Sequence, residues 1–293
     1  MARRFYDGPH DEATGEKLTI GGPQPGSELA WAGVYVPRAA AEPIYSGIIA
    51  LDSMRNLIFE QDPPASFSLA DVRFDKATFN RLAARHPLFD ATNPDLSASA
   101  AAGGKLILWH GWSDPHISPL NTIAYHEAVQ ALAGKAKAER FERLYLLPGV
   151  YHCSGGEGPS LVDFLTPMLE WVEQGSAPQA VVTRQDTRKH DAVFGLPPPS
   201  AAKDGRRGPP PGAPALPDLG HPPAGLAANA FAVPETMAPR ARPVYPYPAV
   251  ASFDGKGDPA EATSYTAPSP VQPATSVEWA GSKFYQPYRP AEH

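Results

Sequence analysis

The sequence predicts an α/β fold with parallel strands, and three observations carry that prediction. Residues Lys105 to His110 contain an unbroken apolar run, Leu106-Ile107-Leu108-Trp109, set between Gly103-Gly104 and Gly111. A short apolar run bounded by turn residues is how a parallel strand covered on both faces reads. A second run, Arg140 to Leu147, follows after one helix-length segment, and a further amphipathic pattern comes after it. Together they give a strand-helix-strand-helix unit whose loops emerge at the carboxyl ends of the strands, the edge at which open α/β sheets bind ligands.

Taken in order, residues 1–45 are rich in turn formers, such as Asp7-Gly8-Pro9 and Gly21-Gly22-Pro23, and read as loops around short elements. Ile48, Ile49, Leu51, Met54, Leu57 and Ile58 recur at offsets near three and four, which predicts a short helix ended by Asp62-Pro63-Pro64. Ala77 to Arg85 also reads as helix, and Pro87 and Asn93-Pro94-Asp95 mark turns. Ser118-Pro119 resembles an N-cap with proline at the first helical position, opening a helix through Ile123, Tyr125, His126, Val129 and Leu132 that Gly134 stops. Pro159 is expected to open another helix, Leu161 to Glu173, burying Leu161, Phe164, Leu165, Met168, Leu169 and Val172 before Gly175. After Pro178 the pattern dissolves: 21 of the 36 prolines lie beyond residue 189, and residues 195–225 read as polyproline-like or disordered chain. Arg240 to Phe253 regains enough apolar content to dock on a folded body.

Composition narrows the function classes. A hydrophobic content of 42% over 293 residues can support a core, and a net charge of -6 leaves no footprint for nucleic acid. No apolar run approaches the ~18 residues that span a bilayer, and the start lacks the apolar segment of a secretory signal. Neither a membrane nor a nucleic acid is expected as a partner. The single cysteine, Cys153, excludes a disulfide within the chain.

Two side chains able to do chemistry stand just past the two strands, Asp114 and His152. Strand, acid, helix, strand, histidine is the order in which an α/β-hydrolase presents the last two members of its triad. On adjacent parallel strands the carboxylate would hold the imidazole in one tautomer and stabilise its charged form. The plainer alternative is that Asp114 caps the turn before Pro115 and His152 lies in a surface loop. A third reading takes His110, Asp114, His116 and His152 as metal ligands, but no HExxH or CxxC spacing supports it, and the expected metal complement is none. His86, His126, His190 and His221 have no partner visible in sequence and read as surface residues. Trp109, Trp112 and Tyr151 flank the candidate site, where core packing is the commoner role for strand-adjacent aromatics. The nucleophile is unassigned. Gly-x-Ser-x-Gly does not occur, and Ser27, Ser46, Ser53 and Ser66 lie in expected loops or helices. Ser154 follows the histidine in chain order and has no strand-to-helix elbow, which argues against it.

Gly103 to Pro115 and Pro148 to Gly156, with its His152-Cys153 pair, resemble the C-terminal half of the tannase and feruloyl esterase family. Gly26 to Trp31, Asn93 to Leu96 and Arg242 to Pro248 match as well, so the resemblance covers about residues 5–190 and 240–266. It implies the C-terminal part of an α/β-hydrolase sheet with part of a lid domain and a long Pro-rich, irregular tail. The expected division is a lid remnant over 1–75, the core segment carrying acid and base over 76–190, and a partly docked tail over 191–293. The implied activity is hydrolysis of aromatic carboxylic esters by a secreted or periplasmic serine esterase, with Asp114 as acid and His152 as base.

Cys153 would pair with a cysteine beside the nucleophilic serine, and that serine, the oxyanion hole and the lid's calcium loop belong upstream. No cofactor is therefore expected in this chain. Its partners would be a small aromatic ester and a missing N-terminal half, supplied as a second chain or lost by truncation. The alternative expectation is an inactive fragment or a binding module with a Pro-rich interaction tail. Val244 stands where the family pattern has a cysteine, and the Pro-rich insert at 197–223 departs from it too.

Overall fold

Two parallel strands, β1 (Leu106–Gly111) and β2 (Glu142–Leu147), pair in register from Leu106 opposite Glu142 to Gly111 opposite Leu147. They form the centre of the computed structural model, which describes residues 2–37, 40, 43–152, 155–185, 238–266 and 278–289. Before them come five short helices, α1 (Ala2–Asp7), α2 (Tyr45–Ser53), α3 (Lys76–Ala83), α4 (His86–Phe89) and α5 (Ser97–Ala101). A π-helical stretch, Met54–Ile58, extends α2. Between the strands lie α6 (Pro119–Ala133) and α7 (Lys135–Ala138). Then follow β3 (Leu161–Val162), α8 (Leu165–Gln174), β4 (Val181–Arg184), β5 (Ala241–Val244) and the small β6 (Ser252–Phe253) and β7 (Tyr265–Thr266) hairpin.

The strand-helix-strand prediction agrees with this architecture. Pro119 opens α6 at its first position, and Gly134 ends it with φ 83°, a conformation glycine adopts without steric cost. Ser118 sits at the expected N-cap but makes no capping bond, and its buried hydroxyl has no hydrogen-bond partner among the described residues.

β2 is the core strand. Leu144, Tyr145 and Leu147 are wholly buried, because β2 has neighbours on both edges: β1 on one, and on the other the chain after β5, where Tyr247 N–H donates to Leu144 O at 2.8 Å. Tyr145, Leu147, Val150, Val181 and Val244 form one apolar cluster, and Val129, Ala138 and Phe141 form a second beneath α6 and α7. The expected docking of residues 240–253 is thus realised through β5 and Tyr247.

Three expectations need correction. β1 is not covered on both faces, since Trp109 is 37% exposed, and among the described residues only one of its edges pairs, with β2. The helix placed at Leu161 begins later, after β3, and its buried residue is Trp171, while Leu165, Leu169 and Val172 face solvent. The periodicity was that of a covered face, but no described element covers it. Finally, order does not end at Pro178, since β4 pairs antiparallel with both β3 and β5. The expectation for residues 195–225 lies outside the described residues.

Candidate active site

The geometry that places Asp114 begins in the strand ladder. Pairing continues beyond β1, with Trp112 N–H donating to Leu147 O at 2.9 Å and Ser113 N–H to Val150 O at 3.0 Å. The two loops therefore leave the sheet side by side. Gly111 permits this: a Cβ there would lie 2.4 Å from Val150 O and 2.3 Å from Tyr151 O, so only glycine tolerates the approach.

Asp114 is 2% exposed and turns inward over Pro115. Its Oδ1 accepts the backbone N–H groups of His116 at 2.7 Å and Ile117 at 3.0 Å, an Asx turn. Its Oδ2 lies 2.7 Å from His152 Nδ1 and 3.3 Å from His110 Nε2. Burial by itself would raise the carboxyl's pKa, but the hydrogen bond from His110, the Ile117 N–H, His152 and the His116 N–H together hold it down to about 2. Asp114 is therefore an ionised carboxylate with both oxygens engaged. The His152 side chain is 41% exposed, reached from the sheet edge while its Nδ1 faces inward.

The turn around Asp114 and its contact with His152 thus use different oxygens of one carboxylate. His110 and His152 converge on one carboxylate oxygen, and among the described residues no three of His, Cys, Asp and Glu are grouped as an ion would need. Cys153 and Ser154 lie outside the described residues, as do His190 and His221.

The N-terminal segment supplies neighbours that sequence reasoning missed. His116 meets Tyr45 edge-on at 5.1 Å, Tyr35 at 6.5 Å and His152 at 6.0 Å between ring centroids. Burial and the charge of Asp114 push Tyr35 up to about 12. Burial brings His116 down to about 4, with Asp114 opposing the shift and His152 adding to it. The unfolded chain therefore takes up a proton on His116 near pH 6.5 that the folded chain refuses until about 4, and stability present above that window is lost as pH falls through it. His116→Phe is expected to flatten the fall in the thermal unfolding midpoint between those values. An equally steep fall in the variant would show that the loss arises elsewhere.

Of the flanking aromatics, Trp109 stacks on Phe164 at 5.9 Å, Trp112 is half-buried, and buried Tyr151 donates its hydroxyl to Glu157 Oε1. Burial and that carboxylate raise the Tyr151 pKa. Arg240 holds the same loop, donating to Glu157 O at 2.6 Å. Two histidines read as surface residues are not. His126 is 4% exposed, with Nδ1 2.8 Å from Glu142 Oε2, and His86 stacks on Phe284 at 4.3 Å with Nδ1 2.7 Å from Asp90 Oδ2. A groove of about 530 Å³ between α6 and the C-terminal segment, lined by Ile20, Leu120, Ile123, Trp279 and Tyr285 among others, includes none of the residues around Asp114. No described helix is long and apolar enough to cross a membrane.

The family model described as "Tannase and feruloyl esterase" matches residues 1–267. A mono(2-hydroxyethyl) terephthalate hydrolase from Piscinibacter sakaiensis is 34% identical over 168 residues, covering 57% of this chain and 20% of its own length. A probable feruloyl esterase from Arthroderma benhamiae is 31% identical over 193 residues, covering 62% of this chain and 34% of its own. The solved feruloyl esterase B from Aspergillus oryzae superposes with a TM-score of 0.60 at 19% identity, over 91% of this chain and 44% of that one. The chain thus spans a fifth to a third of these curated relatives. The fold is of the α/β-hydrolase type.

Proposed function

This chain belongs to the tannase and feruloyl esterase family, and we propose from that membership that it carries the acid and the base of a serine hydrolase for aromatic carboxylic esters. The observation that carries the proposal is the bond between His152 Nδ1 and an ionised, buried Asp114 at the carboxyl ends of two parallel strands. Asp114 holds the ring so that Nε2 takes the proton of a serine hydroxyl attacking the ester carbonyl. The imidazolium that forms is stabilised by the carboxylate and returns its proton to the departing alcohol oxygen. Water then attacks the acyl-enzyme with His152 again as base, releasing the acid.

The nucleophile in this proposal comes from a segment that adds to the edge of β1 left unpaired among the described residues. That edge, the exposed Trp109, and the uncovered Leu165, Leu169 and Val172 of α8 support it, because open strand edges and apolar stripes favour further packing. The aromatic acyl group is taken from the relatives, whose names specify terephthalate and feruloyl esters. Cys153 would tie the base loop to the nucleophile's segment, in keeping with a secreted enzyme.

Labelling with a fluorophosphonate tests this. In the assembled enzyme the label should fall on a serine outside this chain's 293 residues, in a peptide joined to Cys153 when the digest is left unreduced. Label on Ser154, or on any other serine of this chain, would overturn the proposal.

A further inference from the structure

Asp114 Oδ2 receives two imidazoles, and the ester-cleaving cycle uses only one of them. His110 lies at the end of β1 with its side chain 11% exposed. Its Nε2 faces two oxygens, Ile117 O at 3.1 Å and Asp114 Oδ2 at 3.3 Å. Neither oxygen can donate, so Nε2 carries the hydrogen. On the other side of the ring, Nδ1 lies 2.7 Å from Thr122 Oγ1, one turn into α6, and in the neutral ring the hydroxyl donates to it. The ring is thereby fixed from both ends, by the turn that carries Asp114 and by the helix that follows it.

We propose that His110, oriented by Thr122, is a positioning residue for Asp114: it shares the carboxylate oxygen that holds His152 and so sets both the rotamer of that carboxylate and the charge it presents to the base. The inference rests on the reading of Asp114 and His152 as acid and base. Its physical content is a competition. A carboxylate oxygen with one donor concentrates its charge on that donor, whereas one with two divides it, and the imidazolium of His152 is stabilised less. An acid held this way keeps His152 in one tautomer and orientation. Among the described residues, His116 from the turn and Tyr35 from the N-terminal segment are titratable groups that face the pair, and the substitutions below leave both in place.

The test follows the His152 ring by NMR across pH in the full chain with ¹⁵N-labelled histidine, its signals assigned by their loss in His152→Gln. His110→Ala is expected to raise the His152 midpoint by about 0.5–1 pH unit, the scale of losing one hydrogen bond to a charged partner. His110→Gln places an amide N–H near the same position and is expected to restore the original midpoint. Thr122→Val should move it in the same direction as His110→Ala by less, and Thr122→Ser should not move it. These milder variants keep the test open if His110→Ala does not fold.

An unchanged midpoint in His110→Ala, with a shifted one in Asp114→Asn, would overturn the role of His110 and leave the acid–base pair intact. Midpoints unmoved in both would remove the pair itself, and the inference with it.

Discussion

Replacing Asp114 by asparagine is expected to lower ester turnover by the assembled enzyme about 10⁴-fold, the scale of removing a triad carboxylate while keeping its shape. The amide would still accept the N–H groups of His116 and Ile117 through its oxygen. Its NH₂ would then face His152 Nδ1 and His110 Nε2, donor against donor, and turn the His152 hydrogen to the wrong nitrogen. KM should change little, because Asp114 is 2% exposed and sits behind the histidine. The same variant has a stability signature. The folded pKa of about 2 lies below the ordinary 3.8, so the carboxylate stabilises the fold fully above about 4 and loses this as pH falls toward 2. At neutral pH that amounts to about 2 kcal/mol. Urea unfolding at pH 7 should show the deficit; turnover within tenfold of the parent would contradict the assignment of Asp114.

Glu142→Ala is expected to destabilise the fold by about 1–3 kcal/mol, the scale of leaving a buried donor without its acceptor. Glu142 is 1% exposed at the first position of β2, and both its oxygens lie within 2.9 Å of His126 Nδ1 from α6. Gln130 Nε2 lies 3.0 Å from His126 Nε2, and Tyr247 packs edge-on to the ring at 5.7 Å. The pair therefore fastens α6, which carries Thr122 at its start, to the strand whose far end leads to His152. Removing the carboxylate leaves a buried imidazole with no acceptor. A double change of Glu142 and His126 to leucine should recover much of the loss, since a buried pair replaced whole by apolar side chains is often neutral. A drop below about 1 kcal/mol in the single variant, measured by urea unfolding, would show that the pair is not a fastening.

The strand unit and the two chemical residues were legible because their signals are local. Leu106 to Trp109 is a run, Ser118-Pro119 and Gly134 are helix ends, and Asp114 and His152 stand immediately past their strands. What escaped depends on contacts between distant residues. β4 and β5 are four residues each, Pro243 interrupts the strand pattern of β5, and 56 residues separate the two strands. His126 and Glu142 read as unrelated until α6 is laid on β2. His110 was visible only as a candidate ligand, because a shared carboxylate oxygen has no sequence spacing of its own. The α8 stripe was misjudged for a different reason: periodicity shows which face favours burial and does not supply the element that buries it.

The acid–base proposal is tested most directly by ester turnover, on methyl ferulate or methyl gallate, when the chain is combined with a segment bearing the nucleophile. We expect turnover with the parent chain and a loss of about 10⁴-fold with His152→Ala, the fold verified by circular dichroism. Turnover undiminished by that substitution would contradict it.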